Sequence, residues 1–443
     1  MEHERMHGAA QPAVPAVAIL AWGDIFVDWL DRLGVSFQAF RDELVGSWMF
    51  GYAAALQRSG VHPVIVGVTR RVQEPLTATH GPTGATIHLL PPPRVERPVR
   101  ARALGGSLNG RRDVGSLARA ALGTVAPYLA TPPLALAGAL RAHGCAAVLC
   151  QEYETPRFDL AVLLGRILRV PTFATFQGGD YQLSRLERPI RPLSLRAASG
   201  VIVGTRSEAD RLRRQYRLNP GRIARVFNPV DTDVWRPRDR RSARADLGLA
   251  EDVAVVVWHG QVQRRRKGLD ILLRAWATVV AERPERDLQL LLVGAGEDVD
   301  EIRRAAPASV RLLDGWVLDP TRLAQLLGAG DVYAFPSRHE GFPVAPVEAL
   351  ACGLPVVAAD AHGVRDILEA GEAHGGVVVD RDDPMALAHE LGRLLDDGER
   401  RAVLGAAARR RAEEAFSPAA VGSQLRRLLL DDRPPTPAAG PAR

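Results

Sequence analysis

Short, nearly unbroken apolar runs recur along the chain, each followed by a longer stretch where apolar residues return at helical spacing. In the first half these runs are AVAILA (16–21), HPVIVGV (62–68), CAAVLC (145–150), PTFATF (171–176) and GVIVGT (200–205). In the second half they are VAVVVW (253–258), LQLLLVG (288–294), VRLLDG, DVYAFP, PVVAAD and GGVVVD. A run without polar alternation is a strand covered on both faces, which is how a parallel sheet is buried by its crossover helices. Two such series in succession predict two doubly wound α/β domains. The pattern breaks at RVFNPVDTDVWRPRDRR, where asparagine, prolines and charges interrupt it. The predicted division is a first domain over 15–232, a second over 233–415 and a closing helix over 416–430. Residues 1–14 and 431–443 have the composition of disordered ends.

The stretch SRHEGFPVAPVEALACGLPVVAAD (337–360) holds two glutamates, Glu340 and Glu348, around a Gly-Phe-Pro turn. Such a spacing arises by chance about once in a chain of this size, so the surroundings decide its meaning. Asp331 to Ser337 reads as a strand, and ligands of a doubly wound sheet sit at the carboxyl ends of its strands. That places Glu340 in the ligand crevice. Gly341, Phe342 and Pro343 make the turn, and a helix beginning at Val344 offers free N–H groups and a dipole suited to phosphate. Glu348, about one turn into that helix, is set for a polyol such as ribose. A carboxylate for one sugar, a helix start for phosphate and a second carboxylate for another sugar describe a nucleotide-sugar. Lys267, at the start of a helix that follows a strand, is what an anion site requires. Gly294 and Gly296 form a tight turn after a strand, which a nucleotide would need for close approach and a plain turn would need as well.

With these residues in place, the chain resembles the retaining glycosyltransferases of family 4, which have the GT-B fold and an E-x7-E motif at this point. TFQGGD, NPVDTDVWRP, HGQVQRRRKGLDILLRAW, LLLVGAGE, DGWV, FPSRHEGFPVAPVEALACGLPVVA and HGVRDIL follow in the family's order over most of the chain. The resemblance implies two Rossmann-like domains facing across a cleft, with a last helix that crosses back to the first domain. It implies that Glu340 contacts hydroxyls of the donor sugar and that Glu348 binds the ribose. The backbone around Gly341, Phe342, Pro343 and Val344, with Lys267, then receives the diphosphate, and Gly294 and Gly296 border the nucleotide. Gly46, Ser47 and Asp180 fall to the acceptor side. Two positions depart from the family pattern. Gln261 stands where arginine is common, with Arg264, Arg265 or Arg266 available to replace its charge; Arg266 is taken here with the donor site. Gln177 stands where many members have histidine near the reacting sugar; it donates a hydrogen bond but cannot transfer a proton. The implied activity is transfer of a sugar from a nucleotide-diphosphate donor to a hydroxyl of a glycan, glycolipid or small metabolite, without metal or other cofactor. Gln177 and Gln261 keep a non-catalytic sugar-nucleotide binder open, and another GT-B chemistry such as a nucleotide-sugar epimerase is the further alternative.

Composition narrows the setting more than the chemistry. There are 57 basic and 51 acidic residues, a formal charge of +6. This suits an anionic ligand, nucleic acid or a membrane surface without choosing among them, and no nucleic-acid recognition motif is present. Arg94, Arg97, Arg100, Arg102, Arg111, Arg112 and Arg119 face only Glu96 and Asp113 in one segment. The segment reads first as a solvated loop and surface helix, and second as a peripheral contact with anionic lipid at the inner membrane face. Cys145, Cys150 and Cys352 sit in apolar stretches, which predicts a reducing, cytoplasmic setting with no disulfide framework. The start MEHERMHGAAQPAVP has no basic region followed by an apolar core, so no signal peptide is expected. Asp231-Thr232-Asp233 reads as a turn or cap, and His80, His143 and His362 show no ligand spacing, so no metal site is expected. Trp22, Asp24, Phe26, Asp28 and Trp29 fit either an acceptor pocket or a packed insert.

Overall fold

A computed structural model describes residues 14–45, 48–96, 125–176, 184 and 186–431. The first sheet contains β1 (Ala16–Asp24), β2 (His62–Val68), β3 (Leu76–Thr79), β4 (Thr86–Leu90), β5 (Cys145–Cys150), β6 (Thr172–Thr175), β7 (Gly200–Val203) and β8 (Ile223–Arg225). Its order is β3-β4-β2-β1-β5-β6-β7-β8, parallel except for β3, which runs antiparallel to β4. The second sheet contains β9 (Ala254–His259), β10 (Leu288–Gly294), β11 (Val310–Asp314), β12 (Val332–Phe335), β13 (Val356–Ala359) and β14 (Gly376–Val379). Its order is β11-β10-β9-β12-β13-β14, parallel throughout. Both are doubly wound sheets. Each reverses direction beside its first strand, β1 or β9, and a ligand crevice opens at the carboxyl end of such a switch point.

The apolar runs lack alternation because both faces of each central strand are covered. Val17, Ile19 and Ala21 of β1 pack into one cluster, while Ala16, Ala18 and Leu20 pack into the other. In β9, Val255 and Val257 face one way and Ala254, Val256 and Trp258 the other. Each fully buried valine or isoleucine contributes about 1.5–3 kcal/mol. Three strands do not stand out as apolar runs. β3 is an exposed edge, β4 is only partly buried, and β8 has three residues.

The segment after β1 is mainly a packed insert. Asp24 accepts from Phe26 N and Val27 N and so caps the turn that follows. Phe26 lies in the core, its ring 5.5 Å from Phe40, which is 5.4 Å from Phe50. Phe26 is therefore excluded from any acceptor pocket. Trp22 is 40% exposed, and with Asp24, Ile25, Met49 and Gln151 it lines a cavity of about 210 Å³ at the ends of β1 and β5.

The chain passes between the two sheets twice. Phe227, Val230 and Trp235 pack in the second core, and Val230 N–H donates to Phe416 O at 2.8 Å. From there the helix Pro418–Arg426 lies along the helix Trp48–Arg58. Its Gly422 meets the Ala55 carbonyl so closely that a Cβ would overlap it, and Arg426 Nη1 donates to Ser59 O at 2.6 Å. Val421, Leu425 and Leu429 complete the first domain's core.

All three cysteines are buried and free, and burial pushes the Cys150 and Cys352 thiols up to about 12. Among the described residues no helix is long and apolar enough to cross a membrane. Most of the arginine-rich segment lies outside the described residues; at its start, Glu96 is buried and paired with Arg70.

Candidate functional site

The loop after β9 and the loop after β12 meet at the carboxyl edge of the second sheet. Gly268 makes the meeting close: its φ is +66°, and a Cβ there would overlap the Pro336 carbonyl oxygen. Arg338 fastens the two loops. Its backbone N–H donates to Arg266 O at 3.0 Å, and its guanidinium reaches Asp270 at 2.7 and 2.8 Å, Arg265 O at 2.6 Å, and Asp382. The Asp270 carboxylate raises the Arg338 pKa above its ordinary value. A planar fork gripped at this many points fixes a loop far better than a single charge would. Lys267 Nζ then stands 2.8 Å from Glu340 Oε1, with Glu340 8% exposed and Lys267 17%. The pair joins the loop after β9 to the loop after β12 and keeps some exposure to solvent.

Glu340 is followed by the Gly341-Phe342-Pro343 turn and the helix Ala345–Ala351, whose start at Val344 carries no side-chain cap. Phe342 packs in the second core, its ring 5.8 Å from that of Phe227, and it meets the first domain at Gly204, just beyond β7, where a Cβ would come within 2.9 Å of the ring. Pro343 is buried against Gly363. Beside this contact Arg206 binds Asp366 through its backbone N–H and its Nε, each at 3.1 Å, and Arg225 adds a contact at 3.3 Å. Burial raises the Asp366 pKa, and the two arginines oppose that shift. The two domains thus touch here at Gly204 and Phe342 and through the ion pairs of Arg206 and Arg225 with Asp366.

Glu348, on the same helix, places Oε2 2.8 Å from His259 Nε2 at the end of β9. Gly294 and Gly296 pack backbone against backbone: a Cβ would overlap Gly260 O at the first and Val262 O at the second. Their demand for glycine is therefore met inside the protein, by the close approach of the loops after β9 and β10. Gln261 is exposed. Of the arginines available to replace the charge absent there, Arg264 is tied to Glu301 at 2.9 Å, while Arg266, among the described residues, donates to Gln263 at 3.2 Å. Gly46, Ser47, Gln177 and Asp180 lie outside the described residues. Asp231 accepts from Asp233 N–H at 3.0 Å in a turn, and Arg58 pairs with Asp233 at 2.6 Å. Among the described residues no group of three His, Cys, Asp or Glu side chains could hold a metal ion.

Three residues of the site escape a reading of the sequence. Arg338 looks like an ordinary charge between a strand end and Glu340. Trp235 stacks near His259 from 24 positions before it, with ring centroids 6.2 Å apart. His259 carried the clearest signal, as the only polar residue in VAVVVWH.

Two family models match the chain in succession. Residues 45–234 match Glycosyltransferase Family 4, and residues 253–397 match Glycosyl transferases group 1. The chain belongs to glycosyltransferase family 4. Among curated relatives of this family 4 chain, D-inositol 3-phosphate glycosyltransferase 2 of Catenulispora acidiphila is 36% identical over 219 residues, 47% of this chain and 51% of the relative. The D-inositol 3-phosphate glycosyltransferase of Thermobispora bispora is 34% identical over 225 residues, 48% of this chain and 52% of the relative. The chain spans about half the length of the curated relatives it matches. Among solved structures, Anabaena HepE in complex with UDP superposes with a TM-score of 0.65 at 17% identity, covering 94% of this chain and 99% of HepE. Sucrose-phosphate synthase from Thermosynechococcus elongatus gives 0.62 at 19% identity, over 94% and 98% of the two chains. At these identities the likeness shows the GT-B fold.

Proposed function

We propose that this family 4 chain is a retaining, metal-independent glycosyltransferase that moves a sugar from a nucleotide-diphosphate donor to an acceptor hydroxyl. One observation carries this: Lys267 and Glu340, 2.8 Å apart, stand beside an uncapped helix start at the switch point of the second sheet. In this account Glu340 accepts from hydroxyls of the donor sugar, and Glu348 accepts from the ribose. Lys267 and the backbone from Gly341 to Val344 bind the diphosphate. During transfer the bond from the anomeric carbon to the diphosphate oxygen breaks, and a bond to the acceptor oxygen forms on the same face of the sugar. The acceptor proton passes to the leaving diphosphate. Charge grows on that diphosphate, so a preplaced ammonium and backbone N–H groups lower the barrier most. UDP in the HepE structure supports a nucleotide donor of this kind, and the names of the curated relatives favour a polyol phosphate among small acceptors. We place the enzyme in the cytoplasm on the strength of its unpaired cysteines.

Thermal unfolding with UDP, GDP, ADP and their common sugar conjugates, with and without EDTA, tests this. A selective upward shift that survives EDTA is expected. In Glu348→Ala the affinity for the same nucleotide falls about tenfold or more, the loss of hydrogen bonds to a charged group. No shift with any nucleotide, or a shift that EDTA removes, contradicts the proposal.

A further inference from the structure

Beneath Glu348 lies a histidine whose geometry is unusually constrained. His259 is 6% exposed, and its Nε2 is 2.8 Å from Glu348 Oε2. Its Nδ1 is buried and has no hydrogen-bond partner among the described residues. A proton on Nδ1 would be a buried donor with nothing to receive it, whereas a bare Nδ1 leaves only a lone pair unmet. The ring therefore carries its proton on Nε2 and donates it to Glu348. It is also hemmed in. Trp235 packs over it with centroids 6.2 Å apart, Tyr333 flanks it at 5.4 Å, and the Tyr333 hydroxyl donates to the His259 carbonyl at 3.4 Å. Glu348 meets the described protein through Oε2; its side chain is 20% exposed, and Oε1 makes no hydrogen bond to a described residue.

We infer that His259 is a positioning residue: it pins one oxygen of Glu348 so that the other is presented to the ribose hydroxyls of the donor, and so sets a preference for ribonucleotides over deoxynucleotides. This rests on the reading of Glu348 as the ribose carboxylate. A free glutamate turns about its terminal torsion with little resistance, and each binding event would have to arrest that rotation. With Oε2 held by a ring that is itself wedged between two aromatic side chains, Oε1 is left without a hydrogen bond to the described residues and available to a ligand. A histidine that merely filled the core would affect the binding of every nucleotide alike. A positioning histidine affects only those that carry the hydroxyls.

The test compares dissociation constants of the full chain for UDP, GDP and ADP with those for their 2′,3′-dideoxy forms, measured by titration calorimetry. Three proteins are used: the native chain, His259→Gln and His259→Asn. Glutamine carries an amide nitrogen to about the reach of Nε2, and asparagine stops near the reach of Nδ1. The native chain is expected to bind the ribonucleotide about tenfold more tightly than its dideoxy form. In His259→Asn that ratio falls to within about threefold, and in His259→Gln most of it returns. The ratio is internal to each protein, so a general loss of stability does not imitate the result. A native ratio that persists in His259→Asn overturns the role of His259 and leaves the ribose reading standing. Equal collapse in both variants also overturns it, because packing rather than the Nε2 donor would then be responsible. A native chain that does not discriminate removes the ribose reading itself, and the inference with it.

Discussion

Replacing Lys267 by alanine is expected to lower kcat for sugar transfer by about 10²–10³-fold while changing the acceptor KM far less. The reason lies in when its partner appears. In the free protein the ammonium faces Glu340 at 2.8 Å. Only in the transition state does full charge gather on the departing diphosphate, and an interaction that strengthens there raises kcat rather than ground-state affinity. The helix start at Val344 remains in the variant, so some stabilisation survives. Removing the ammonium also leaves Glu340, 8% exposed, without its cation. Part of that cost is spared because Lys267 itself is 17% exposed and water can reach the carboxylate. Saturating both substrates and following nucleoside diphosphate release gives kcat directly. A loss smaller than about threefold would remove Lys267 from the chemistry.

The second large effect concerns stability, and it comes from a glycine. Gly268→Ala is expected to destabilise the second domain by about 3 kcal/mol or more, lowering its unfolding midpoint by about 6–12 °C. Two costs combine. A φ of +66° is strained for alanine, and the new Cβ would overlap the Pro336 carbonyl, which lies on the backbone and cannot turn aside. Gly248→Ala separates them: its φ is +62°, with nothing within 4 Å of an added Cβ, so only the strain remains, about 1 kcal/mol. Thermal unfolding of both variants measures the difference. Equal midpoints would mean that the loops after β9 and β12 can part freely, and then the separation of Lys267 and Glu340 would not be fixed by this contact.

Much of this architecture is visible in the chain itself. Runs such as VAVVVW are apolar on both faces because helices cover both faces, so the central strands declare themselves. LTAT (76–79) does not, because an exposed edge strand pays no hydrophobic signal into the sequence. Within the site, Glu340, Glu348 and Lys267 are marked by their position next to strand ends and a Gly-Phe-Pro turn. What couples them is hidden. Arg338 acts through Asp270 and Asp382, and His259 through Glu348, pairs separated by 44 to 89 positions. Such contacts follow from how strands are ordered in the sheet, and β9 lying next to β12 is a fact of topology rather than of spacing. Gly294 and Gly296 show the opposite case: their turn is legible, but the neighbouring loop that also demands glycine there is not.

The most direct test of the account is amide hydrogen exchange on the full chain, with and without the nucleoside diphosphate that gives the largest thermal shift. Protection is expected in two stretches at once, 260–268 after β9 and 337–348 after β12, because the diphosphate bridges the loops that carry Lys267 and Glu340. Protection confined to the first sheet, or to neither stretch, would contradict a donor site at the Lys267–Glu340 pair.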